Sequence, residues 1–255
     1  MLDLQREEQR INQFIKDYCR SSGFDSLVLG LSGGIDSALT AALAVQALGK
    51  EHVFALSLPY WKSHPDSAAD AALVASHLQI KLTTIDLTAV VDPYFDYLEP
   101  FADRLRKGNW MARIRMNILY DQAAKHQALV VGTSNRSELL VGYFTQYGDS
   151  ACAFEPIGHL YKTEVWAMAR QLGLPEKVVS KTPTADLWEG QSDESELGIS
   201  YQELDSILQH LTEPSLYPEC HASQEKLEKV KKLIANSEFK RSEEHTSELQ
   251  SPNTI

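Results

Sequence analysis

The first segment of the chain carries apolar residues at helical spacing. Between residues 4 and 19, Phe14, Ile15 and Tyr18 follow Ile11 by three, four and seven positions. This spacing places them on one face of a helix, and a Ser-Ser-Gly run then supplies a stop. The sequence therefore predicts an amphipathic helix at the start of the chain.

Beyond this helix, apolar runs of strand length alternate with helical segments. The predicted strands cover residues 26–31, 52–58, 81–87 and 128–131. The predicted helices are a segment that ends at 48 and the ranges 66–78, 104–126, 162–172, 201–208 and 224–234. This alternation predicts an α/β fold, a doubly wound parallel sheet with helices on both faces. Residues 180–200 are polar, which predicts a long loop that is functional or mobile.

A glycine-rich loop, residues 32–37 with the sequence Ser-Gly-Gly-Ile-Asp-Ser, directly follows the first predicted strand. Glycines there allow a tight turn, and the next helix offers free N–H groups and a positive dipole end to an anion. The loop matches neither G-x-x-x-x-G-K-[ST] nor G-x-G-x-x-G. It is a candidate phosphate-binding loop, and the alternative is a tight turn in which Ser32 or Asp36 only caps the helix.

The composition argues against several classes of partner and location. The chain has 255 residues and a formal net charge of −11, so we expect no nucleic acid partner, since phosphate backbones are held largely by Lys and Arg. It has no run of 18 apolar residues, which predicts no membrane span. The N-terminus is polar, and Cys19, Cys152 and Cys220 form no C-x-x-C pair. These features predict a cytoplasmic protein without a signal peptide or disulfides.

The sequence predicts a single domain over residues 1–241. Residues 242–255 contain three Glu, no Lys or Arg, and no periodic apolar face. We expect this tail to be disordered, because it cannot bury enough apolar surface to fold. Its sequence also indicates a non-native origin.

The loop sequence resembles that of the PP-loop ATP pyrophosphatases, which cleave ATP between its α- and β-phosphates. Within that superfamily, an ordered set of strings across residues 4–241 resembles the NAD synthetases. These strings lie at residues 107–109 with Arg113 and Arg115, 132–138, 142–149, 161–164, 183–187 and 191–198. Each string is weak alone, whereas the ordered set is specific.

The resemblance implies a two-step ligase that uses ATP and Mg²⁺. Deamido-NAD would be adenylated with release of pyrophosphate, and ammonia would then displace AMP to give NAD. The residues that it implies for ATP binding are Gly30, Leu31, Ser32, Gly33, Gly34, Ile35, Asp36, Ser37, Thr133, Lys162 and Thr184. Asp36 and Glu138 would hold Mg²⁺, which prefers hard oxygen ligands. Asp36, Lys162 and Asp149 would be catalytic, with Asp149 on the acyl or ammonia side.

Arg113 and Lys240 are implied as ligands of deamido-NAD. Several of the implied site residues also have a simpler interpretation. Glu138 and Arg113 would be solvated surface charges, Lys162 a snorkelling side chain at a helix start, the threonines caps or turn residues, and Asp149 a turn residue. A cation is disfavoured at a helix N-terminus, which favours a functional role for Lys162.

The sequence departs from the family pattern at three site positions. Gln146 stands where many relatives have Lys, Ala153 where they have Asp, and Phe239 where they have His. The glutaminase domain of glutamine-using relatives is absent, so the resemblance implies ammonia as nitrogen donor. It also implies a homodimer, and loops at 143–155 and 180–198 that close over the substrates. The rival interpretations are another PP-loop ligase and a nucleotide-binding regulatory protein without turnover.

Overall fold

The computed structural model describes residues 2–61, 65–184, 188, 190–220 and 222–241. Its strands are β1 Leu27–Gly30, β2 Val53–Ser57, β3 Leu82–Thr84 and β4 Leu129–Val130. They form a parallel sheet in the order β3-β2-β1-β4, in which Leu27 lies opposite both Val53 and Leu129. The predicted parallel sheet is confirmed. The predicted tail at 242–255 lies outside the described residues.

The helices surround this sheet and carry most of the described chain. In order they are α1 Leu4–Ser22, α2 Ile35–Leu48, α3 Pro65–Leu78, α4 Thr88–Tyr97, α5 Arg104–His126, α6 Arg136–Val141, α7 Lys162–Gln171, α8 Glu176–Val179, α9 Asp193–Leu197, α10 Tyr201–Thr212, α11 Gln224–Asn236 and α12 Glu238–Arg241. Among the described residues, none of these helices combines the length and apolarity that a membrane crossing requires.

Alternate residues of β1 point to opposite faces of the sheet, as its period of two requires. Leu27 and Leu29 are buried in a core formed with α1, α2 and α7. Val28 is buried in a separate core formed with α4 and α5, which contribute Phe95 and Met111. Both sheet faces are therefore covered by helices, and the predicted doubly wound α/β architecture is confirmed.

A third apolar cluster lies away from the sheet. Val141 of α6, Leu204 and Leu208 of α10, and Val230 of α11 are buried together. This packing fixes α10 against α6 and α7. It therefore determines the positions of the two short helices that carry Glu138 and Lys162.

The structure corrects several predicted boundaries. The run at 81–87 pairs only over Leu82–Thr84, and the chain then enters α4, a helix that we did not predict. The polar segment at 180–200 is not a continuous loop, because it contains α9. The predicted strand at 26–31 is two residues longer than β1, although Leu31 is buried and its N–H still bonds Leu56 O at 2.7 Å.

Candidate active site

The glycine-rich loop joins β1 to α2 at the carboxyl edge of the sheet. Gly33 has φ of 81°, and a Cβ there would lie 2.5 Å from Ser67 O and 2.8 Å from the Cβ of Asp70. The loop is braced internally, because Ser37 Oγ donates to Gly34 O at 3.0 Å and accepts from Ser32 N at 3.2 Å. Only glycine fits at position 33, because both the backbone angle and the close neighbours exclude a side chain.

Gly34 is the N-cap of α2, and no side chain caps this helix. The alternative interpretation of Asp36 as a helix cap is therefore wrong. Its carboxylate instead accepts a hydrogen bond from Asn135 Nδ2 at 2.9 Å and contacts Lys162 Nζ at 2.5 Å. The first turn of α2 keeps amide groups without side-chain partners beside the loop, which is the arrangement that binds anions.

Lys162, at the first position of α7, lies between two carboxylates. Its Nζ is 2.5 Å from Asp36 Oδ2 and 3.4 Å from Glu138 Oε1, and its side chain is 1% exposed. Burial opposes charging, but the carboxylates of Asp36 and Glu138 raise the pKa of Lys162 above its ordinary value. The interpretation of Lys162 as a snorkelling side chain is wrong, since the ammonium group is buried in an ion-pair cluster.

The side chain of Glu138 is only 15% exposed and contacts Lys162, so its interpretation as a solvated surface residue is wrong. It stands at the third position of α6, where it forms a reciprocal capping box with Asn135. Burial raises the pKa of Glu138, and the charge of Lys162 opposes that shift. Asn135 bonds both Asp36 and Glu138, and thereby aligns the two carboxylates that flank Lys162.

These groups line one cavity of about 740 Å³ at the carboxyl edge of the sheet. Its wall includes every residue predicted to bind ATP except Gly33, whose Cα packs against Ser67 and Asp70. Thr133 and Thr184, which follow different elements, both lie on this wall. A position outside the carboxyl ends of parallel strands is where α/β sheets usually bind ligands.

The sequence profile of the NAD synthase family matches residues 7–244. The chain is 50% identical over 212 residues to the NH(3)-dependent NAD(+) synthetase of Fusobacterium nucleatum, covering 83% of this chain and 82% of that protein. This chain belongs to the NAD synthase family. The predicted family resemblance is therefore confirmed.

Solved structures of the family share the fold over nearly the whole chain. The NMN synthetase of Francisella tularensis superposes with a TM-score of 0.89 at 32% identity, covering 97% of this chain and 100% of that one. The NH3-dependent NAD synthetase of Campylobacter jejuni, in complex with the nitrate ion, gives 0.84 at 35% identity, with coverage of 97% and 100%.

A buried polar clamp, which the sequence did not reveal, fixes the two helices of this NAD synthase family site. Asp205 of α10 accepts from Ser137 Oγ at 2.5 Å and from Thr163 N at 2.8 Å, while Ser137 Oγ accepts from Lys162 N at 2.9 Å. Burial raises the pKa of Asp205, although the hydrogen bonds from Ser137 and Thr163 oppose this shift. The sequence could have indicated this role of Asp205 in one way. Its carboxylate lies on the apolar face of α10, four positions after Tyr201.

Asp193 is a second carboxylate whose role the sequence did not reveal. It is 4% exposed and accepts from Tyr143 Oη at 3.1 Å and Tyr201 Oη at 3.2 Å. It belongs to one of the strings that carry the family resemblance, but nothing in that string distinguishes it from neighbouring acids. In the structure it contributes negative charge to the surroundings of Lys162.

Of the two residues predicted for deamido-NAD, one lies on the cavity wall and the other does not. Lys240 lies on the cavity wall, where its Nζ donates to Gly142 O at 2.8 Å and Phe144 O at 2.9 Å. Arg113 is exposed and outside the lining residues, and its Nε donates to Gln146 O at 3.3 Å. In this structure Arg113 is therefore an exposed charge on the face of α5, as its simpler interpretation states.

Asp149 lies on the cavity wall and accepts from Thr145 N at 2.9 Å across a turn. Asp149 is exposed to the cavity, but desolvation by the surrounding protein raises its pKa, and its hydrogen bonds from Thr145 oppose this shift. Nearby, Glu155 Oε2 accepts from Ser134 N at 2.9 Å, and burial raises the pKa of Glu155 to about 7. Glu155 thereby supports the loop that carries Thr133, another contact that the sequence did not reveal.

The donor set fits a magnesium ion. Asp36 and Glu138 both direct an oxygen toward one cationic group, the ammonium of Lys162. Among the described residues, no cluster of three or more His, Cys, Asp and Glu is placed to hold a metal. Magnesium commonly takes one or two carboxylates and completes its shell with substrate phosphates and water, which is consistent with two ligands from this chain.

Proposed function

We propose that this chain is a cytoplasmic ATP- and Mg²⁺-dependent ligase that converts deamido-NAD and ammonia into NAD. In the first step the deamido-NAD carboxylate forms a bond to the α-phosphorus of ATP, and pyrophosphate leaves. In the second step ammonia attacks the acyl carbon, AMP leaves with the bonding electron pair, and the nitrogen loses a proton. Membership of the NAD synthase family supports this reaction class.

One observation carries the proposal, namely the cluster of Asp36, Lys162 and Glu138 beside the glycine-rich loop. The cluster lies in the same cavity as Thr133 and Thr184, which come from distant parts of the chain. Clusters of perturbed charged groups in a cavity are enriched at catalytic sites. The cluster therefore favours a ligase over the regulatory alternative.

The loop and the first turn of α2 would bind phosphate oxygens through backbone N–H groups, without covalent chemistry. Asp36 and Glu138 would hold the magnesium ion, which when bound neutralises charge on the phosphates. Lys162 would supply a positive charge beside the phosphates. The buried Ser137 and Asp205 would keep the backbone of α7, and with it Lys162, in position.

Asp149 is the proposed group on the ammonia side of the site. Its carboxylate lies on the cavity wall and is accessible from the cavity, which suits it to hold an ammonium ion or accept a proton. Lys240 and Arg113 are the proposed contacts of deamido-NAD. Loop closure at 143–155 and 180–198 would keep water from the acyl-adenylate, and protease protection on adding ATP and deamido-NAD tests it.

The direct test is to incubate the protein with ATP, Mg²⁺, deamido-NAD and ammonium, and to measure NAD, AMP and pyrophosphate. Asp36→Asn should lower activity by about a hundredfold or more, since metal-ion stabilisation contributes several kcal/mol. The control is Asp17→Asn, an exposed carboxylate of α1, which should retain wild-type activity. Absence of AMP at every ammonium concentration would refute the ligase, and an Asp36→Asn variant within a few-fold of wild type would refute the metal ligand.

A second candidate substrate is nicotinic acid mononucleotide, with nicotinamide mononucleotide as product. The TM-score with the NMN synthetase of Francisella tularensis, 0.89, exceeds the 0.84 with the NAD synthetase of Campylobacter jejuni. Gln146 and Ala153 also depart from the family pattern at positions assigned to deamido-NAD. The ratio of kcat/KM for the two substrates decides between them, and a ratio in favour of deamido-NAD supports our first proposal.

We further propose that the protein is a homodimer. Large apolar side chains are exposed near the junction of α4 and α5, where Tyr97, Leu98, Phe101 and Leu105 are 84%, 70%, 98% and 61% exposed. Exposed apolar patches of this kind mark interfaces, and a second copy of this chain would cover the patch. Sedimentation velocity at assay concentration tests this, and a fully active monomer would refute it.

A further inference from the structure

A buried carboxylate with two lysine partners lies behind the glycine-rich loop. Asp70 of α3 is 1% exposed, and its two oxygens lie 2.7 Å from Lys177 Nζ and 2.8 Å from Lys181 Nζ. Lys177 belongs to α8 and Lys181 follows that helix, so one carboxylate ties both lysines to α3. We propose that Lys181 is a second phosphate ligand of this site, which binds the β- and γ-phosphates of ATP and the pyrophosphate product. This inference rests on the proposed function.

The charges of the two clusters support this assignment. In the Asp70 cluster two ammonium groups contact one buried carboxylate, and the carboxylate of Asp66 lies on the Lys177 side. Around Lys162, by contrast, the carboxylates of Asp36, Glu138 and Asp193 surround one ammonium group, which suits a metal ion but repels a phosphate. The triphosphate therefore finds its complementary charge on the Asp70 side of the loop, where Lys181 is placed.

Lys181 and Lys177 share a carboxylate but differ in position. Lys181 is 21% exposed and lies on the wall of the 740 Å³ cavity, whereas Lys177 is 56% exposed and is not among the lining residues. The two ammonium groups share one carboxylate, and of the two lysines only Lys181 faces the space where the proposed ATP lies.

Contact with Ser67, which packs on the loop, places Lys181 near the expected phosphate positions. Its Nζ lies 3.4 Å from Ser67 Oγ, and the backbone oxygen of Ser67 packs directly on Gly33. Asp70 also packs on Gly33 through its Cβ. The residues that hold the Lys181 ammonium group therefore also support the loop, so the loop and the lysine form one unit.

Holding a lysine in advance reduces the cost of binding, because fewer rotamers are lost when the phosphate arrives. Asp70 acts here as a positioning residue, since it contacts Lys181 and not the substrate. An ammonium group near a leaving pyrophosphate also stabilises charge that develops in the transition state. We therefore expect Lys181 to affect both ATP binding and the inhibition by pyrophosphate.

The matched variants are Lys181→Gln and Lys177→Gln, each of which removes one of the two partners of Asp70. Lys181→Gln should raise KM for ATP and the inhibition constant of magnesium pyrophosphate about tenfold or more, the size expected for a charged hydrogen bond. Lys177→Gln should leave both constants within about twofold of wild type. Lys181→Arg, which keeps the charge, should recover most of the loss.

Calorimetric binding of magnesium pyrophosphate to the full chain gives a readout that does not depend on turnover. Binding that is weakened by Lys181→Gln and unchanged by Lys177→Gln supports the assignment, even if the wild type makes no NAD. Equal constants for the two variants, or no measurable pyrophosphate binding by the wild type, overturn it. If the wild type makes NAD and Lys181→Gln matches it, the proposed function stands and only this inference fails. Each variant removes one partner of the buried Asp70 and could therefore lower stability. Thermal unfolding of both variants measures that loss separately from binding.

Discussion

Gly33→Ala is the substitution whose effect the structure specifies most closely. Gly33 has φ of 81°, and an added Cβ would lie 2.5 Å from Ser67 O, 2.8 Å from the Cβ of Asp70 and 3.0 Å from Ala71 N. Two of these neighbours are backbone atoms of α3, which cannot move aside by a change of rotamer. The loop or the helix must therefore shift.

The expected cost has two parts. The left-handed backbone costs an alanine about 1–2 kcal/mol, of which about 0.4–1 kcal/mol is offset because alanine has less freedom in the unfolded chain. Forcing a methyl group into packed surroundings adds about 1–3 kcal/mol. Gly173→Ala isolates the first part, because Gly173 has φ of 68° and nothing lies within 4 Å of its added Cβ.

Thermal unfolding of both variants measures the difference. Each kcal/mol shifts Tm by about 2–4 °C in a protein of this size, so Gly33→Ala should unfold about 2–12 °C below Gly173→Ala. The displaced loop should also weaken the binding of magnesium pyrophosphate, whereas Gly173→Ala should not. Equal Tm values for the two variants would show that α3 does not confine the loop, and would refute the reasoning.

Two further predictions concern buried polar contacts. Ser137→Ala removes the hydroxyl that donates to Asp205 and accepts from the backbone of α7, so we expect a loss of about 2–4 kcal/mol in urea unfolding, from two unpaired buried groups. For Glu7, burial opposes the shift, but hydrogen bonds from Arg10 and His159 lower its pKa below 4.5. Its charged form therefore stabilises the fold above pH 4.5, and the stability advantage of wild type over Glu7→Gln should shrink as the pH falls below that value.

Matched control variants show whether the stability changes of Ser137→Ala and Glu7→Gln are specific to those two side chains. Ser21→Ala removes an exposed hydroxyl of α1 and should change stability by no more than about 0.5 kcal/mol. Equal losses for Ser21→Ala and Ser137→Ala would show that the clamp contributes nothing. Glu8→Gln removes an exposed carboxylate next to Glu7. A stability gap between wild type and Glu7→Gln that is constant with pH would refute the ionic role of Glu7.

The local part of the site could be predicted from sequence. A strand, a glycine loop and a helix are contiguous, so residues 26–48 predict both their structure and the position of Asp36. The long helices α1 and α5 carry several turns of apolar periodicity, and α5 was predicted with the bounds that it has. Short helices such as α6 have too few turns to show a period.

Strand ends were predicted less well because an apolar run marks burial and not pairing. Leu31 and Leu58 are buried, yet they lie beyond β1 and β2. The helix α4 was missed because Pro93, which lies inside it, usually indicates a break. Patterns of hydrophobicity thus identify which segments enter the core, whereas the ladder of hydrogen bonds depends on neighbours that are remote in sequence.

The contacts around Lys162 show why a motif does not determine a site. Asp36 and Lys162 are separated by 126 positions, and Ser137 and Asp205 by 68, so no local pattern relates them. The family resemblance supplied the identities of Asp36, Glu138 and Lys162, but it did not supply their mutual ion pairs. Those pairs arise because α6, α7 and α10 pack together through a separate apolar cluster.

The net charge of −11 describes the whole chain, but the proposed chemistry depends on a local separation of charge. On one side of the glycine-rich loop, the carboxylates of Asp36, Glu138 and Asp193 surround the single ammonium group of Lys162, an arrangement that suits a metal ion. On the other side, Lys177 and Lys181 contact the buried carboxylate of Asp70, an arrangement that suits phosphate. Gly33 packs against Asp70 and Asp36 lies in the first turn of α2, so the short segment 33–36 connects the two sides. In our proposal, this arrangement lets one loop bind a metal ion and a polyphosphate together.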